Sequence, residues 1–442
     1  MTTAVITGIG VAAPNGAGTE NFWAATLRGE SGIGPIRRFD TRGYPARLGG
    51  EIDDFDPAEH LPRRLLPQTD RMTQLALTAS AWALADSGVA PGTYDPGETG
   101  VAMAGAFGGF EYGQRELENL WCSGPERVSV YMSFAWFYAV NTGQLSIRHA
   151  LRGPAGVVVG DQAGGLDAVA QARRNIRKGA RLMLSGGFDS SFCPYGWVAR
   201  ISDGTLSTDE DPRTAYLPFD LRARGQVPGE GGAVLVVEEA AAARRRGTRI
   251  YGEIAGYAAT FDAAARYGGE RGLGRAVEAA LADAGVTARE VGVVFADGSG
   301  RPADDRAEAE TIAAVFGPQG VPVTVPKTMT GRMSSGGAPV DLAGALLAMR
   351  DGLIPPTVNV RTVAPGARLD LVTGVPRPWQ PGPALVLARG RGGFNSAMVL
   401  RPGTAAPNRT GAASVTGREA PTRSGGKRHE ADDTVGPGGD HA

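Results

Sequence analysis

Residues 157–185, VVVGDQAGGLDAVAQARRNIRKGARLMLS, read as a strand, a sharp turn, a helix and a second strand. Three valines form a β-branched run that Gly160 interrupts. Apolar residues then recur at helical spacing, and the small residues 163–165 let the backbone turn closely into that helix. Gly179 ends the helix before the apolar run that follows. The pattern predicts an α/β chain with Gln162 at the strand-to-helix turn.

Gln162 occupies a position that suits a nucleophile. A side chain at such a turn faces a helix N-terminus, where the dipole lowers the pKa of a thiol and backbone N–H groups stabilise an oxyanion. A glutamine amide has its nitrogen lone pair delocalised into the carbonyl, so it does not attack an acyl group at neutral pH. The sequence therefore predicts the site of a nucleophile with an inert occupant.

Composition limits the possible functions of these 442 residues. Lys and Arg number 45 against 46 Asp and Glu, so no overall charge favours nucleic acid or an anionic membrane. Cys122 and Cys193, the only cysteines, are too few for a disulfide framework or a zinc site and suit a reducing cytoplasm. No basic segment precedes the apolar N-terminus, and no apolar run reaches the roughly 20 residues that span a bilayer. We expect a soluble cytoplasmic protein without a metal.

The N-terminal segment 4–16, AVITGIGVAAPNG, superficially matches a dinucleotide-binding glycine loop. Pro14 interrupts the place where the phosphate-binding helix would continue, and no acidic residue closes a second strand about 20 residues later. A lone match of this kind is weak. A core strand followed by a loop is the better interpretation.

An amphipathic helix is predicted at 108–121. Phe110, Gly113 and Leu117 stand at i, i+3 and i+7, on one helical face, and by pattern alone that face favours a core role. The segment 128–143, VSVYMSFAWFYAVNTG, is unusually aromatic, which is typical of a core or a subunit interface.

The strand–helix rhythm starts again near residue 249. Helices are predicted at 273–284 and 306–316, and closing strands at 385–388 and 396–400. This repetition indicates an internal duplication with helices sandwiched between sheets.

Three regions follow from this rhythm. The N-terminal half is predicted to span 1–248 and the C-terminal half 249–402. Residues 403–442 contain no aromatic residue and scattered Gly and Pro, so we expect a disordered tail that cannot bury enough apolar surface to fold.

Several short motifs accompany the central turn, in the order DQAGGLDA (161–168), PGEGGA (228–233), ADGSG (296–300), KTMTGR (327–332) and GGFNSA (392–397). With these motifs the chain resembles the β-ketoacyl synthases over residues 4–400, and most closely their chain length factor, or ketosynthase beta, branch in type II aromatic polyketide synthases. The resemblance implies a thiolase-like α/β fold, with duplicated βαβαβαββ halves in a layered α-β-α-β-α arrangement.

The resemblance also shows what this chain lacks. Active ketosynthases carry Cys-His-His, whereas the matching positions here hold Gln162, Asp297 and Arg332; Lys327 matches the family's lysine. We therefore expect no catalytic residues. We predict that the three vestigial positions form a hydrogen-bonded plug, because unpaired buried charges are costly. The alternative is that Asp297 or Arg332 simply faces solvent.

The remaining histidines and cysteines match no active-site motif. His60 and His149 are predicted to be surface or packing histidines. Cys122 and Cys193 are predicted to be ordinary buried or half-buried thiols, since neither lies on a glycine-rich turn.

The resemblance implies an obligate subunit of a 3-oxoacyl-ACP synthase complex. A ketosynthase alpha subunit would form the heterodimer and catalyse condensation, with malonyl units delivered on the phosphopantetheine of acyl carrier protein and no cofactor bound directly. The resemblance further implies that the two subunits complete a tunnel for the growing chain. The residues of this sequence that match the tunnel-lining positions of the family are Phe110, Gly113, Leu117 and Phe134. Because Gly113 has no side chain and Leu117 is smaller than an aromatic residue, we expect a long product, nearer the decaketide than the octaketide class.

Two other functions stay open. Gln162 could support a malonyl-ACP decarboxylase that generates the primer, although Asp297 would repel the developing enolate. Alternatively, the chain could act as a chaperone that keeps its partner soluble without shaping the pocket. A basic helix end, with Arg173, Arg174, Arg177 and Lys178, could attract an acidic carrier protein, but such ends are usually just solvated.

Overall fold

The structure is a computed structural model that describes residues 2–262 and 272–403. The predicted tail, 403–442, lies outside the described residues apart from its first residue. The strands are β1 (Ala4–Ala13), β2 (Gly16–Ala17), β3 (Ile33–Pro35), β4 (Leu48–Gly50), β5 (Thr99–Ala104), β6 (Ala155–Val158), β7 (Leu182–Asp189), β8 (Gly231–Glu239), β9 (Gly252–Phe261), β10 (Val293–Phe295), β11 (Pro322–Thr324), β12 (Leu353–Ile354), β13 (Asp370–Leu371), β14 (Arg377–Pro378), β15 (Ala384–Arg389) and β16 (Phe394–Pro402).

The helices of the described residues include both predicted helices of the C-terminal half. The α-helices are α1 (Thr19–Arg28), α2 (Pro57–His60), α3 (Arg71–Ser87), α4 (Phe110–Ser123), α5 (Met132–Ala135), α6 (Val140–His149), α7 (Asp161–Arg177), α8 (Pro194–Ile201), α9 (Ala240–Arg246), α10 (Leu273–Ala284), α11 (Pro302–Phe316) and α12 (Gly337–Asp351). None of these helices is long and apolar enough to cross a membrane.

The two halves repeat the same order of elements. The first half runs β1, α3, β5, α6, β6, α7, β7, β8, and the second runs β9, α10, β10, α11, β11, α12, β15, β16. The strands also correspond in space: β1-β8-β7-β5-β6 in the first half and β9-β16-β15-β10-β11 in the second, with β13 added at the far edge. The duplicated βαβαβαββ pattern is therefore confirmed.

The halves meet at a short antiparallel contact, where Val5 and Ile6 of β1 pair with Glu253 and Gly252 of β9. Helices α7 and α12 lie between the half-sheets and share one apolar core with them. Helices α3 and α6 cover the outer face of the first half, and α10 and α11 cover that of the second. This is the expected α-β-α-β-α layering.

Helix α7 packs closely against the first turn of α12 and the residues just before it. A Cβ atom at Gly165 would lie 2.4 Å from Cδ of Pro339 and 2.6 Å from the carbonyl oxygen of Ser335, so only glycine fits there. The small residues 163–165 were expected to ease the turn into the helix. They lie inside α7 instead, where their size permits this helix packing.

One side of the first half presents apolar groups to solvent. Strand β6 pairs with β5 alone among the described strands, so its other edge is open. The aromatic segment 128–143 is exposed at several positions rather than buried in the core. Of the two interpretations of this segment, the core role does not fit these positions, and the subunit interface stays a prediction. Exposed apolar residues on this side are Leu117, Trp121, Val130, Trp136, Phe137, Tyr138, Ile147, Val157, Val159, Tyr195 and Val198.

Candidate functional site

Gln162 lies in the first turn of α7, directly after strand β6, as the sequence predicts. The preceding Asp161 has a φ of 51°, a left-handed conformation that is strained for a residue with a side chain. Gln162 is 2 % exposed. In the amide orientation that satisfies both of its groups, Nε2 donates to the carbonyl oxygen of Ser334 at 2.7 Å and Oε1 accepts from Nε of Arg332 at 3.1 Å.

Asp297 and Arg332 form a buried ion pair beside Gln162. Nη2 of Arg332 donates to the two carboxylate oxygens of Asp297 at 3.0 and 3.1 Å, and Nη1 donates to the main-chain oxygen of Asp297 at 2.9 Å. Asp297 is 2 % exposed and Arg332 is 6 % exposed. The predicted hydrogen-bonded cluster is confirmed, and the alternative that either side chain faces solvent is wrong.

Glu308 of α11 fixes the main chain at Asp297. Its two carboxylate oxygens accept from the N–H groups of Asp297 and Gly298 at 2.7 and 2.9 Å. Burial raises the pKa of Glu308 to about 7, and the neighbouring Asp297 carboxylate adds to the shift. Burial opposes the charge on Arg332, but Asp297 outweighs it, so the pKa of Arg332 lies above its ordinary value and the guanidinium stays charged.

Lys327, which matches the lysine of the family, forms a second buried ion pair nearby. Its Nζ lies 2.6 Å from the carboxylate of Asp341 and donates to the carbonyl oxygen of Ala296 at 2.8 Å. Burial raises the pKa of Asp341, and the charge of Lys327 acts in the opposite direction. Lys327 thus holds the chain just before Asp297, and no motif in the sequence points to Asp341 as its partner.

Sequence reasoning also missed Asp189, at the end of β7. Its carboxylate accepts from the main-chain N–H groups of Ala106, Phe107 and Ser335 at 3.0, 3.1 and 2.9 Å. Burial raises the pKa of Asp189 to about 6. This carboxylate joins the end of β5 to the turn that carries Ser334.

Arg200 of α8 is a second residue of this site that no sequence motif indicates. Its Nη1 donates to Oγ of Ser334 at 2.9 Å, and its Nη2 donates to the carbonyl oxygen of Arg332 at 3.1 Å. The guanidinium lies 4.8 Å from the ring centroid of Phe107, a cation–π contact. Burial lowers the pKa of Arg200. The segment 332–334 is therefore held from two sides.

A cavity of about 480 Å³ opens beside the ion pair. Asp297 and Arg332 belong to its lining, whereas Gln162 is not among the described residues that line it. The ion pair therefore contributes to the wall of the cavity, whereas the buried Gln162 contacts Arg332 without lining the cavity. The charged lining residues are Asp161, Arg200, Asp203, Asp262, Asp297, Arg301, Asp304, Arg332, Arg389 and Arg391.

The chemical capacity of this arrangement is small. Claisen condensation needs a thiolate to hold the growing chain and hydrogen-bond donors for the enolate that forms on decarboxylation. Here both the oxygen and the nitrogen of the Gln162 amide are hydrogen-bonded to other residues of the protein. Asp297 brings a carboxylate rather than a hydrogen-bond donor to this site, and Nη2 of Arg332 already donates to it.

The two histidines of the described residues have packing roles, as predicted. The His60 ring stacks on Phe55 at 5.6 Å and meets Trp82 edge-on at 5.4 Å. Nε2 of His149 lies 2.7 Å from Oγ of Ser80. Burial lowers the pKa of His149 to about 4, so the ring is neutral at physiological pH.

The cysteines differ from each other. Cys193 is buried at the start of α8, where its Sγ accepts from the N–H group of Gly196 at 3.4 Å, and burial raises its pKa to about 11. Cys122 is exposed near the end of α4. The prediction of a buried or half-buried thiol is therefore confirmed for Cys193 and wrong for Cys122, because the surrounding apolar residues face solvent in this chain.

Helix α4 carries Phe110, Gly113 and Leu117 at helical spacing, as predicted. The ring of Phe110 lies 5.6 Å from Phe107 and 5.1 Å from Tyr195 on α8. Gly113 is buried, and Leu117 is 41 % exposed. This face of α4 is therefore packed against other side chains at its start and exposed to solvent toward its end. It is not an entirely buried core face.

Phe134, the fourth residue predicted to line a tunnel, lies in the short helix α5, which runs beside α4. Its ring lies 5.9 Å from that of Tyr131. The four positions therefore belong to two neighbouring helices on the exposed apolar side of the first half.

The basic end of α7 is only partly available to a partner. Arg173 is buried and pairs with Asp283 at 2.5 Å, so it joins α7 to α10. Arg174 and Arg177 are exposed. The solvated helix end is the better interpretation, since one of its cations is used inside the fold.

Comparison with known proteins agrees with the fold. Residues 1–243 match the family model described as beta-ketoacyl synthase, N-terminal domain, and residues 251–361 match the corresponding C-terminal domain. The chain belongs to the β-ketoacyl synthase family.

Its relatives narrow this assignment. The tetracenomycin polyketide synthase ketoacyl synthase beta subunit of Streptomyces glaucescens is 59 % identical over 399 residues, 90 % of this chain and 98 % of that protein. The ishigamide ketosynthase/chain length factor superposes with a TM-score of 0.82 and 28 % identity, covering 91 % of this chain and 99 % of that chain. Within the family, the chain is a member of the polyketide ketosynthase beta, or chain length factor, branch.

A third match shows a relative with a carrier protein. The structure titled as a type II polyketide synthase acyl-carrier protein in complex with its ketosynthase bound to the hexaketide has a TM-score of 0.81 and 26 % identity, and the match covers 91 % of this chain and 99 % of that chain.

Proposed function

We propose that this chain is a noncatalytic chain length factor, which sets the length of the poly-β-ketone made by a type II polyketide ketosynthase. The observation that carries this proposal is the buried cluster of Gln162, Asp297 and Arg332 at the end of the cavity. A site without thiolate or imidazole leaves condensation to a catalytic partner.

The partner is a ketosynthase alpha subunit in a heterodimer. The open edge of β6 and the exposed apolar residues of α4, of α8 and of the segment 136–138 lie on one side of the first half. A contiguous apolar surface beside an unpaired strand is typical of a stable protein interface. Malonyl units arrive on the phosphopantetheine arm of acyl carrier protein, in line with the carrier-protein complex of the related ketosynthase.

Product length is set on α4 and α5. Phe110, Gly113, Leu117 and Phe134 line the tunnel that the two subunits complete. Gly113 and Leu117 leave more room than larger side chains would, which supports a product near the decaketide class.

The tunnel is tested by coexpression with the alpha subunit and mass measurement of the released polyketide. Leu117→Phe combined with Gly113→Thr fills the α4 face and should shorten the product. Glu118→Phe places an aromatic ring on the same helix, away from that face, and is the matched control. If pocket variants alter yield but never length, the chain acts as a chaperone and the length-setting role fails.

The absence of catalysis is tested on the isolated chain with malonyl-ACP. We expect no carbon dioxide release and no acylation at Gln162. Carbon dioxide release that disappears in Gln162→Ala would establish the decarboxylase function instead.

A further inference from the structure

Trp136 is fixed to the start of α4 by its main chain. Its carbonyl oxygen accepts from the N–H group of Gly109 at 3.0 Å. A Cβ atom at Gly108 would lie 2.4 Å from that oxygen, and one at Gly109 would lie 2.3 Å from the carbonyl oxygen of Ala135. The two glycines therefore allow the chain at 135–136 to lie directly on the backbone of residues 108–109.

The Trp136 side chain starts directly over Gly113, one turn further along α4. A Cβ atom at position 113 would lie 3.6 Å from Cβ of Trp136, and no other described atom outside α4 comes within 4 Å of it. The spacing is an ordinary van der Waals contact. A carbon beyond Cβ that points toward Trp136, about 1.5 Å further out, would be closer to the tryptophan than an ordinary van der Waals contact.

The side chain of Trp136 is only partly covered by the described residues of this chain. Trp136 is 48 % exposed, and its ring lies 6.2 Å from that of Phe137. It stands on the same apolar side as Leu117. A large, rigid ring beside the α4 face can form a wall whose position depends on the residue that faces it.

We infer that Trp136 is a specificity-determining residue, and that the size of residue 113 controls product length through the position of the Trp136 indole. The inference rests on the proposed length-setting function and deepens it. Glycine at 113 lets the indole lie close to α4 and keeps the tunnel wide. A larger residue at 113 pushes the indole away from α4 and into the tunnel.

The test is a double-mutant cycle on product length, measured by mass spectrometry after coexpression with the alpha subunit. Trp136→Ala should raise the ratio of longer to shorter products, by about tenfold, the low end of what a pocket wall discriminates. Gly113→Leu should lower this ratio, and its effect should disappear in the Trp136→Ala background. Gly113→Ala, which fits the observed spacing, should leave the ratio unchanged.

Trp121→Ala is the matched control, because Trp121 is 81 % exposed near the end of α4 and lies two turns from Gly113. Copurification with the alpha subunit shows that each variant folds. An unchanged ratio in Trp136→Ala, or an equal Gly113→Leu effect in both backgrounds, overturns the inference. If Leu117→Phe also leaves length unchanged, the proposed function fails with it; if Leu117→Phe alters length, only the role of Trp136 fails.

Discussion

The buried ion pair gives a quantitative prediction for Asp297→Asn. The change keeps the shape of residue 297 and removes its charge, leaving a guanidinium that is 6 % exposed without its counter-ion. Breaking a buried pair in this way costs about 3–5 kcal/mol. Arg332 keeps hydrogen bonds to the main-chain oxygen of residue 297 and to Gln162, so we expect the low end, about 3 kcal/mol.

The double variant Asp297→Leu with Arg332→Met separates pairing from packing. Replacing both charges by apolar groups of similar volume is often neutral or stabilising. The cost of the double variant should therefore fall well below the sum of the two single costs, as expected for residues in contact.

Glu308 adds a pH dependence to this prediction. Its pKa of about 7 in the folded chain lies above its ordinary value, so the stability it contributes is present at low pH and is lost as the pH rises toward 7. Asp297 contributes to that shift by charge repulsion. Removing the Asp297 charge removes a repulsion that exists only when Glu308 is ionised. Asp297→Asn should therefore lower the free energy of unfolding by less at pH 8 than at pH 5.5.

The assay is equilibrium urea unfolding followed by tryptophan fluorescence, with the m-value checked for constancy across variants. The reasoning is refuted if Asp297→Asn changes the free energy of unfolding by less than about 0.5 kcal/mol and the single costs simply add, within the same error. Product length in the complex should stay the same in the double variant, since the proposed function gives the pair no catalytic role.

Two further predictions concern the protonation of His149 and the reactivity of cysteine thiols. Burial lowers the pKa of His149 to about 4, so the unfolded chain binds the proton first; the free energy of unfolding should fall by up to about 3 kcal/mol from pH 6.5 to 4, and His149→Gln should flatten this dependence in urea unfolding. In Gln162→Cys, iodoacetamide followed by mass spectrometry should modify the exposed Cys122 and spare both Cys193 and the introduced thiol; rapid labelling at 162 would show that the ion pair does not close the cavity.

Elements whose boundaries depend on local sequence signals could be predicted from the sequence alone. The helix predicted at 273–284 coincides with α10, because its apolar spacing and terminal glycine are both local signals. The place of Gln162 follows from the break at Gly160. The meeting of Asp297 and Arg332, far apart in the chain, was reached only through the resemblance of the motifs to a known fold.

The missed residues share a physical reason. Asp189, Arg200 and Asp341 act through contacts with residues more than ten positions away in the chain, and such contacts leave no local sequence motif. The exposure of Cys122 was misjudged because apolar neighbours look the same in a core and at an interface. Trp136 escaped notice because its partner, Gly113, has no side chain.

The open strand β6 has a consequence for the synthesis of this chain. Its unpaired N–H and C=O groups stand beside exposed valines, a template on which a second copy can add. Copies made in excess over their companion would then assemble with one another and precipitate. In the proposed heterodimer the partner subunit covers this edge, so coexpression with the partner should reduce such self-assembly.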